Sequence, residues 1–343
     1  MEYFLSGTSA ILIHKLTGPA AAAAGLLTLS IVVSALIVFI RSDIPKTPSG
    51  VVRFMFPRNI LTHPSARADF AYYVSHKFVM LPLSFPGGAA VTAAIGYATH
   101  ALLQAGFGTA DHVESHPGVW TLVLFTVSML LAYDLSYYLY HKMQHRSPVL
   151  WELHKVHHSA EVMVGTTKDR VHPLDEIMNR VWDGMVTGPL YGLWLFFAFD
   201  PVELTVLGIN VYVLRNIIMM DFVRHTHLKI SFGRVMNAII LCPHYHQLHH
   251  SIDPKHYDRN FGLMLPIWDR IFGTLAVPEP GESFSFGLAD REHDEYQSLR
   301  GLYILPLRKM ARRLGLRRPR VPATVGSPPG QLAPPSAEHQ GIA

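Results

Sequence analysis

A single cysteine, Cys242, in 343 residues excludes an internal disulfide, a Cys-ligated iron–sulfur cluster and a structural zinc site built on thiolates. Charge is scarce too: Asp, Glu, Lys and Arg make up 16% of the chain, against about 25% in an ordinary soluble domain. No H-E-x-x-H or H-x-x-E-H pattern occurs, which disfavours a zinc protease. No flavin or nicotinamide fingerprint and no solenoid-length repeat is visible. Disordered, coiled-coil and secreted disulfide classes are excluded with them. What the chain does have is apolar sequence and imidazole. Hydrophobic residues reach 49% with a mean hydropathy of +0.21, and there are 21 histidines. The net charge of +4 is concentrated towards the C-terminus, and no nucleic-acid partner is expected.

The apolar runs read as membrane spans. Residues 16–40 carry no charged side chain, and Pro19 to Ile40 is long enough to cross a ~30 Å hydrocarbon core. Arg41, rather than a small-residue cleavage site, follows it, so a signal peptide is the weaker reading. A second run, 78–110, is interrupted by Pro82, Pro86, Gly87 and Gly88, which predicts a kinked or broken helix. The third, 115–133, continues without a breaker to His145. The stretches 184–199 and 204–220, parted by Asp200-Pro201, read as a helical hairpin dipping into the membrane. Six Lys/Arg in 41–77 and none in 107–117 orient the chain with its N-terminus outside and everything after 141 on the cytoplasmic side. Residues 300–320 hold eight Lys/Arg and no acid, with Tyr303, Leu307, Met310 and Leu314 at helical spacing. That segment is either an amphipathic helix on an anionic leaflet or a solvated basic tail. Residues 319–343 read as disordered.

Thirteen histidines fall between His141 and His256. His141 and His145 are four apart; His154, His157 and His158 follow an H-x-x-H-H pattern, and His246, His249 and His250 repeat it. Residues three and four apart share a helix face, so each cluster aims two or three imidazoles one way, as a metal requires. Asp134, Tyr138, His141 and His145 form one stripe. Asp134 is therefore a candidate to orient an imidazole, the alternative being a local cap or pair. By spacing alone His172, before Pro173, and His225 are as easily bystanders as ligands. His227, His244 and His256 stay open as ligands, supporting groups or surface residues. Imidazole donors suit zinc, iron, copper or nickel, and eight to ten of them exceed what one tetrahedral ion uses.

Three segments then carry a resemblance. The first is Asp134-Leu-Ser-Tyr-Tyr138-Leu-Tyr-His141-Lys-Met-Gln-His145; the second is His154-Lys-Val-His157-His158; the third is Pro243-His244-Tyr-His246-Gln-Leu-His249-His250-Ser251. Asp258-Arg-Asn260-Phe-Gly262 and Trp268-Asp269-Arg-Ile-Phe272-Gly273-Thr274 follow in order. Over roughly 120–278 the chain resembles the fatty acid hydroxylase/sterol desaturase superfamily of integral-membrane di-iron oxygenases. The resemblance implies ten metal ligands: the eight box histidines together with His172 and His225. It places Asp134 and Asn260 among the catalytic residues, with Glu176 and Asp253 as supporting groups. It implies two Fe ions, for which zinc may substitute on purification.

The implied fold class is all-α, an integral membrane helical bundle with a cytoplasmic helical cap carrying a histidine-rich dimetal site. The expected organisation is 1–77, N-terminal span and basic loop; 78–278, catalytic domain; 279–318, basic cytoplasmic segment; and 319–343, tail. The implied reaction is O₂-dependent hydroxylation or desaturation of a lipid C–H bond, of sterol or fatty-acyl type, with an ether-lipid (alkylglycerol-type) monooxygenase as the nearest alternative. Electrons would come from an external donor: a cytochrome b5-like protein, a ferredoxin or a reductase. His116-Pro117-Gly118 is rejected as a haem site because it stands alone. Trp182, Trp194, Phe196, Phe197 and Phe199 could wall an apolar channel, but such a stripe is more often core or lipid-facing. A membrane metal transporter is the alternative from another class; it would need ligands near the midplane between repeats.

Overall fold

The computed structural model describes residues 32, 36, 39–40, 45–83, 88–109, 118–197, 205–206, 209–210 and 221–316. Most of the first expected span, His112, His116, Phe199 and the C-terminal tail lie outside them. The described chain is helical except for one two-residue antiparallel pair, Thr205–Val206 with Ile209–Asn210.

The first long helices are α1 (Pro48–Met55), the single turn α2 (Arg58–Leu61), α3 (Pro64–Leu83) and α4 (Gly88–Phe107). Residues 84–87, where part of the predicted break falls, lie outside the described residues. Helix α5 (Val119–Arg146) runs 28 residues without a proline or glycine, about 42 Å at 1.5 Å per residue. Among the described residues it is the one helix long and apolar enough to cross a membrane. Its two halves differ: Trp120, Leu124 and Val127 are exposed, whereas Asp134, Tyr138 and His141 are buried. An apolar exposed end and a polar buried end suit a helix that leaves lipid and enters a protein cap.

Ser147 makes the next corner. It precedes Pro148, which disfavours helical backbone at the residue before it. Ser147 is accordingly extended (φ −92°, ψ 116°). Its hydroxyl accepts from the Leu150 amide, capping α6 (Pro148–His158). One residue thus ends a histidine-bearing helix and starts the next.

Helix α7 (Pro173–Phe197) packs between α4 and α5. Against α5 it is antiparallel: Trp182 Nε1 donates to the Ser136 carbonyl and Trp194 Nε1 to Ser128 Oγ. Against α4 it runs parallel, with Thr92 and Thr187 hydroxyls 3.0 Å apart. Glycines set that approach. A Cβ on Gly184 would lie 2.4 Å from Val91 Cγ1, on Gly188 2.6 Å from Ile95 Cβ, and on Gly192 2.5 Å from the Gly96 carbonyl oxygen. Three glycines four apart form the small-residue seam that lets helix backbones meet closely in lipid. The expected helical hairpin over 184–220 is corrected in its second arm. Residues 205–210 hold the strand pair, and 211–220 lie outside the described residues.

Short helices complete the cap: α8 (Asp221–Arg224), α9 (Gly233–Met236), α10 (Pro243–His249), α11 (Ile267–Ile271) and α12 (Leu299–Arg313). Tyr72 of α3, Val156 of α6, Leu288, Tyr296 and Leu302 of α12 form one buried cluster. Arg170, fully buried, ties the same elements together: it pairs with buried Asp69 and donates to the Val156 carbonyl, Ser159 Oγ and the Tyr296 carbonyl. Helix α12 is docked on this core through Leu302 and Pro306, with Lys309 on Glu292 and Arg313 on Glu152. It is therefore neither a free basic tail nor wholly a surface helix, although Ile304 and Leu307 remain exposed.

Candidate metal centre

Nine of the ten histidines expected as ligands come together in two adjoining groups. His141 and His145 of α5, His154 and His158 of α6, and His249 of α10 form the first. His157 of α6, His225, and His246 and His250 form the second. Within each group one ring nitrogen from every residue lies within 4.8 Å of the others. Nε2–Nε2 separations are 3.1 Å for His141–His154 and His158–His249, 3.2 Å for His157–His225 and His246–His250, and 2.9 Å for His225–His246. The stacked rings of His158 and His250, 4.5 Å between centroids, join the groups. His154, His157 and His158 sit on consecutive turns of α6, yet serve both groups: His157 faces the second and its neighbours the first.

The far side of two rings fixes the proton. His141 Nδ1 lies 2.9 Å from the Phe261 carbonyl and His249 Nδ1 2.8 Å from the Arg259 carbonyl. A carbonyl only accepts, so each Nδ1 carries the hydrogen and each Nε2 presents a lone pair inwards. His145 Nε2 is buried without a hydrogen-bond partner among the described residues. Burial, reinforced by the neighbouring imidazoles, holds His154, His157, His158, His246 and His250 well below the ordinary imidazole range. Burial takes His249 down to about 4 against the opposing pull of the Arg259 carbonyl. Neutral imidazoles with converging lone pairs repel one another unless a cation lies between them, so this donor set fits bound metal.

His172 is corrected. It stands outside both groups, and both ring nitrogens are committed: Nδ1 accepts from the Leu174 amide and Nε2 donates to the Tyr303 carbonyl. His227 bonds the Phe54 carbonyl, His244 pairs with Gln247 and His256 faces Glu282, so none of the three joins a group.

Asp134 and Asn260 are near the centre without touching an imidazole. Asp134 accepts from the Met264 and Leu265 amides, so the local-pairing alternative describes it. Asn260 (φ +55°, tolerated by Asn) donates to the Tyr245 and Ala276 carbonyls and accepts from the Ala276 amide. Asp269 accepts from the Phe261 and Gly262 amides and from Thr274 Oγ1. A Cβ on Gly262 would lie 2.7 Å from that carboxylate, which accounts for the glycine. Together these residues hold the 259–265 loop, whose Arg259 and Phe261 carbonyls orient His249 and His141. Glu176 bonds His76 and Arg180, and Asp253 caps the turn at Pro254, so neither reaches the two groups.

Asp175 was not singled out by sequence. Buried, it accepts from Tyr140 Oη and Gln144 Nε2 and lies 3.8 Å from His154 Nδ1. The adjacent pair Asp175-Glu176 offered no spacing signal to choose between them.

The histidines form a wall between two cavities. The larger, 520 Å³, reaches His154, His157, His225 and His246. Its lining combines apolar or aromatic residues, Phe78, Tyr133, Tyr137 and Leu263, with charged ones, Lys77, Lys168, Asp169, Glu176 and Arg180. The smaller, 350 Å³, reaches His145, His158, His249 and His250, and is lined further by residues of the 251–258 and 287–290 segments. Trp182, Trp194, Phe196 and Phe197 line neither; Trp194 packs on Phe125, and Phe197 is exposed.

The fatty acid hydroxylase family model matches residues 126–274, a stretch that holds every one of the nine clustered histidines and the loop that orients two of them. The chain is 30% identical over 163 residues to alkylglycerol monooxygenase of Homo sapiens, covering 47% of this chain and 32% of that protein. It is 26% identical over 207 residues to ornithine lipid hydroxylase OlsE of Rhizobium tropici, covering 60% and 58%. It is 26% identical over 166 residues to lathosterol oxidase of Homo sapiens, covering 48% and 49%. The chain thus spans about a third of the length of the alkylglycerol monooxygenases it matches. No solved structure matches it. Three histidine boxes and their trailing signature thus fall in the region that matches the fatty acid hydroxylase family model, and the chain is similar there to lipid monooxygenases and hydroxylases.

Proposed function

We propose that this protein is a membrane-bound, O₂-dependent lipid oxygenase that hydroxylates or desaturates an unactivated C–H bond. The observation that carries the reading is the convergence of nine imidazoles, eight of them buried, into two adjoining groups. The names of the relatives, all lipid monooxygenases, hydroxylases or oxidases, support the lipid substrate. An ether lipid is the second reading, favoured by the four alkylglycerol monooxygenases among the matches.

In this reading His141, His145, His154, His158 and His249 hold one iron, and His157, His225, His246 and His250 hold the other. Bound iron supplies the reduction of O₂ that a C–H bond of this strength requires. The chain supplies the rest. The Arg259 and Phe261 carbonyls keep His249 and His141 in the tautomer that offers Nε2. Asp175, with Tyr140 and Gln144, positions the His154 ring from behind. Burial of the wall keeps bulk water from the reacting carbon. For hydroxylation the balance is substrate C–H, O₂, two electrons and two protons giving C–OH and water. The electrons come from an external donor such as a cytochrome b5-like protein, a ferredoxin or a reductase, the chain having no fingerprint for a flavin or nicotinamide. The apolar half of α5 sits in the bilayer, and the histidine cap sits on the cytoplasmic side.

A metal transporter is disfavoured because the imidazoles gather at one end of α5, off the apolar half. The test is comparative lipidomics of cells with and without the chain under ¹⁸O₂, with metal analysis of the purified protein. A lipid that gains label, or loses two hydrogens, only when the chain is present is the expected result. Protein from iron-replete cells that holds no metal and changes no lipid sinks the proposal.

A further inference from the structure

Resting on the oxygenase reading, the larger cavity also says what kind of lipid it takes. The larger cavity reaches the histidines from the flank of α3 that carries Phe78, 77% exposed and on the same face as exposed Phe70 and Val74. The smaller cavity meets α5 at His145 and is otherwise lined by α6, α10 and the 251–258 and 287–290 segments. An acyl or alkyl chain lying on that flank of α3 therefore has a route to the imidazoles through the larger cavity.

The charged part of the same lining is unsuited to a purely apolar ligand. Lys77 Nζ and Lys168 Nζ each lie 2.9 Å from a different oxygen of the single carboxylate Asp169. Two ammonium groups share one acid, leaving a positive charge in excess. Arg180 and Glu176 form a balanced pair beside them. The side chains of Lys77 and Lys168 are 54% and 33% exposed, so their pairs are solvent-screened, weak and easily exchanged for a new anion. A phosphate or carboxylate would add charge-assisted hydrogen bonds from both.

We infer that the substrate is an amphiphile with a phosphate- or carboxylate-bearing headgroup, clamped between Lys77 and Lys168, with its chain along Phe78, Tyr133 and Leu263. Because the same cavity holds the headgroup clamp and reaches the histidines, oxidation falls near the polar end of the lipid rather than at a remote methyl.

Full-length protein in neutral-detergent micelles tests this by competition against a fluorescent lipid analogue, which reads binding without turnover. The probes are 1-hexadecylglycerol 3-phosphate, uncharged 1-hexadecylglycerol, cholesterol and inorganic phosphate. The phosphate-headed lipid should bind about tenfold or more tightly than its uncharged counterpart, as expected for two charge-assisted hydrogen bonds. Lys77→Ala with Lys168→Ala should abolish the difference, and Lys229→Ala should not. If the double variant melts early, Lys168→Gln alone carries the test, with a smaller loss of preference expected. Equal affinity for charged and uncharged lipid, a preference that survives the double variant, or inorganic phosphate competing as well as the lipid would each overturn the inference. A headgroup preference without any ¹⁸O-labelled or desaturated product overturns the oxygenase reading alone; product from an uncharged lipid, with no headgroup preference, overturns the headgroup alone.

Discussion

Each imidazole of the centre has two ends, and the outer end decides what the inner one offers. Removing an inner donor should empty a group: His249→Ala and His225→Ala are each expected to lower the metal content of the iron-loaded protein from two ions towards one, read by elemental analysis. His172→Ala should leave two, since its ring nitrogens serve Leu174 and Tyr303. Removing an outer support should act more mildly. Asn260→Ala loses three hydrogen bonds of the loop that presents two carbonyls. Metal affinity should fall by roughly 10–100-fold, the usual effect of disturbing a group behind a ligand, measured by competition with a chelator. At this scale the sequence was most informative where spacing had one meaning. The H-x-x-H-H patterns marked the ligand-bearing segments, but not that each divides between the two groups, His157 apart from His154 and His158, and His249 apart from His246 and His250. His172 could not be separated from a ligand, because a His-Pro step looks the same whichever way the ring turns. Asp134 and Asn260 were noticed, but their partners are backbone amides and carbonyls more than a hundred and about fifteen residues away, which no side-chain pattern announces.

Among the elements, the α4–α7 seam depends most on single atoms. Gly188→Leu would drive a side chain into Ile95, whose Cβ lies 2.6 Å from the added Cβ. Overpacking of this kind costs about 1–3 kcal/mol or more. Ile95→Ala should recover part of the loss, a coupling that a double-mutant cycle on melting in detergent would reveal. Additive effects would argue that the seam does not pack as described. Helices α5 and α6 were legible because proline and uninterrupted apolar sequence act locally. The strand pair at 205–210 was not: apolar residues suit either element, and periodicity cannot distinguish them in so short a run.

Over the whole molecule, metal and fold are linked. Nine converging imidazoles are poorly arranged until a cation separates their lone pairs, so loading should stabilise the native state. At a free-metal concentration a hundred times Kd, the gain for one site is about 2.7 kcal/mol. Chelation of the iron-loaded protein should lower its melting temperature, and iron should restore it. A melting curve indifferent to metal would contradict the assignment. Arg170 is the other global tie. Arg170→Met strands the buried Asp69 carboxylate and should cost about 3–5 kcal/mol, read as early thermal unfolding in detergent. That pair was not legible beforehand, since one Arg and one Asp about a hundred residues apart have no recognisable spacing.

The parallel register of α4 and α7 also has a temporal meaning. Val91 meets Gly184, and Ile95 meets Gly188, so each contact joins residues 93 apart in the chain (184 − 91 and 188 − 95). At roughly 5–20 residues per second, a ribosome makes each of these positions on the first helix about 5–19 seconds before the matching position of the second. Throughout that interval the face of α4 that will receive the three glycines is in place with no companion, and α5 must turn back between them before the seam can close.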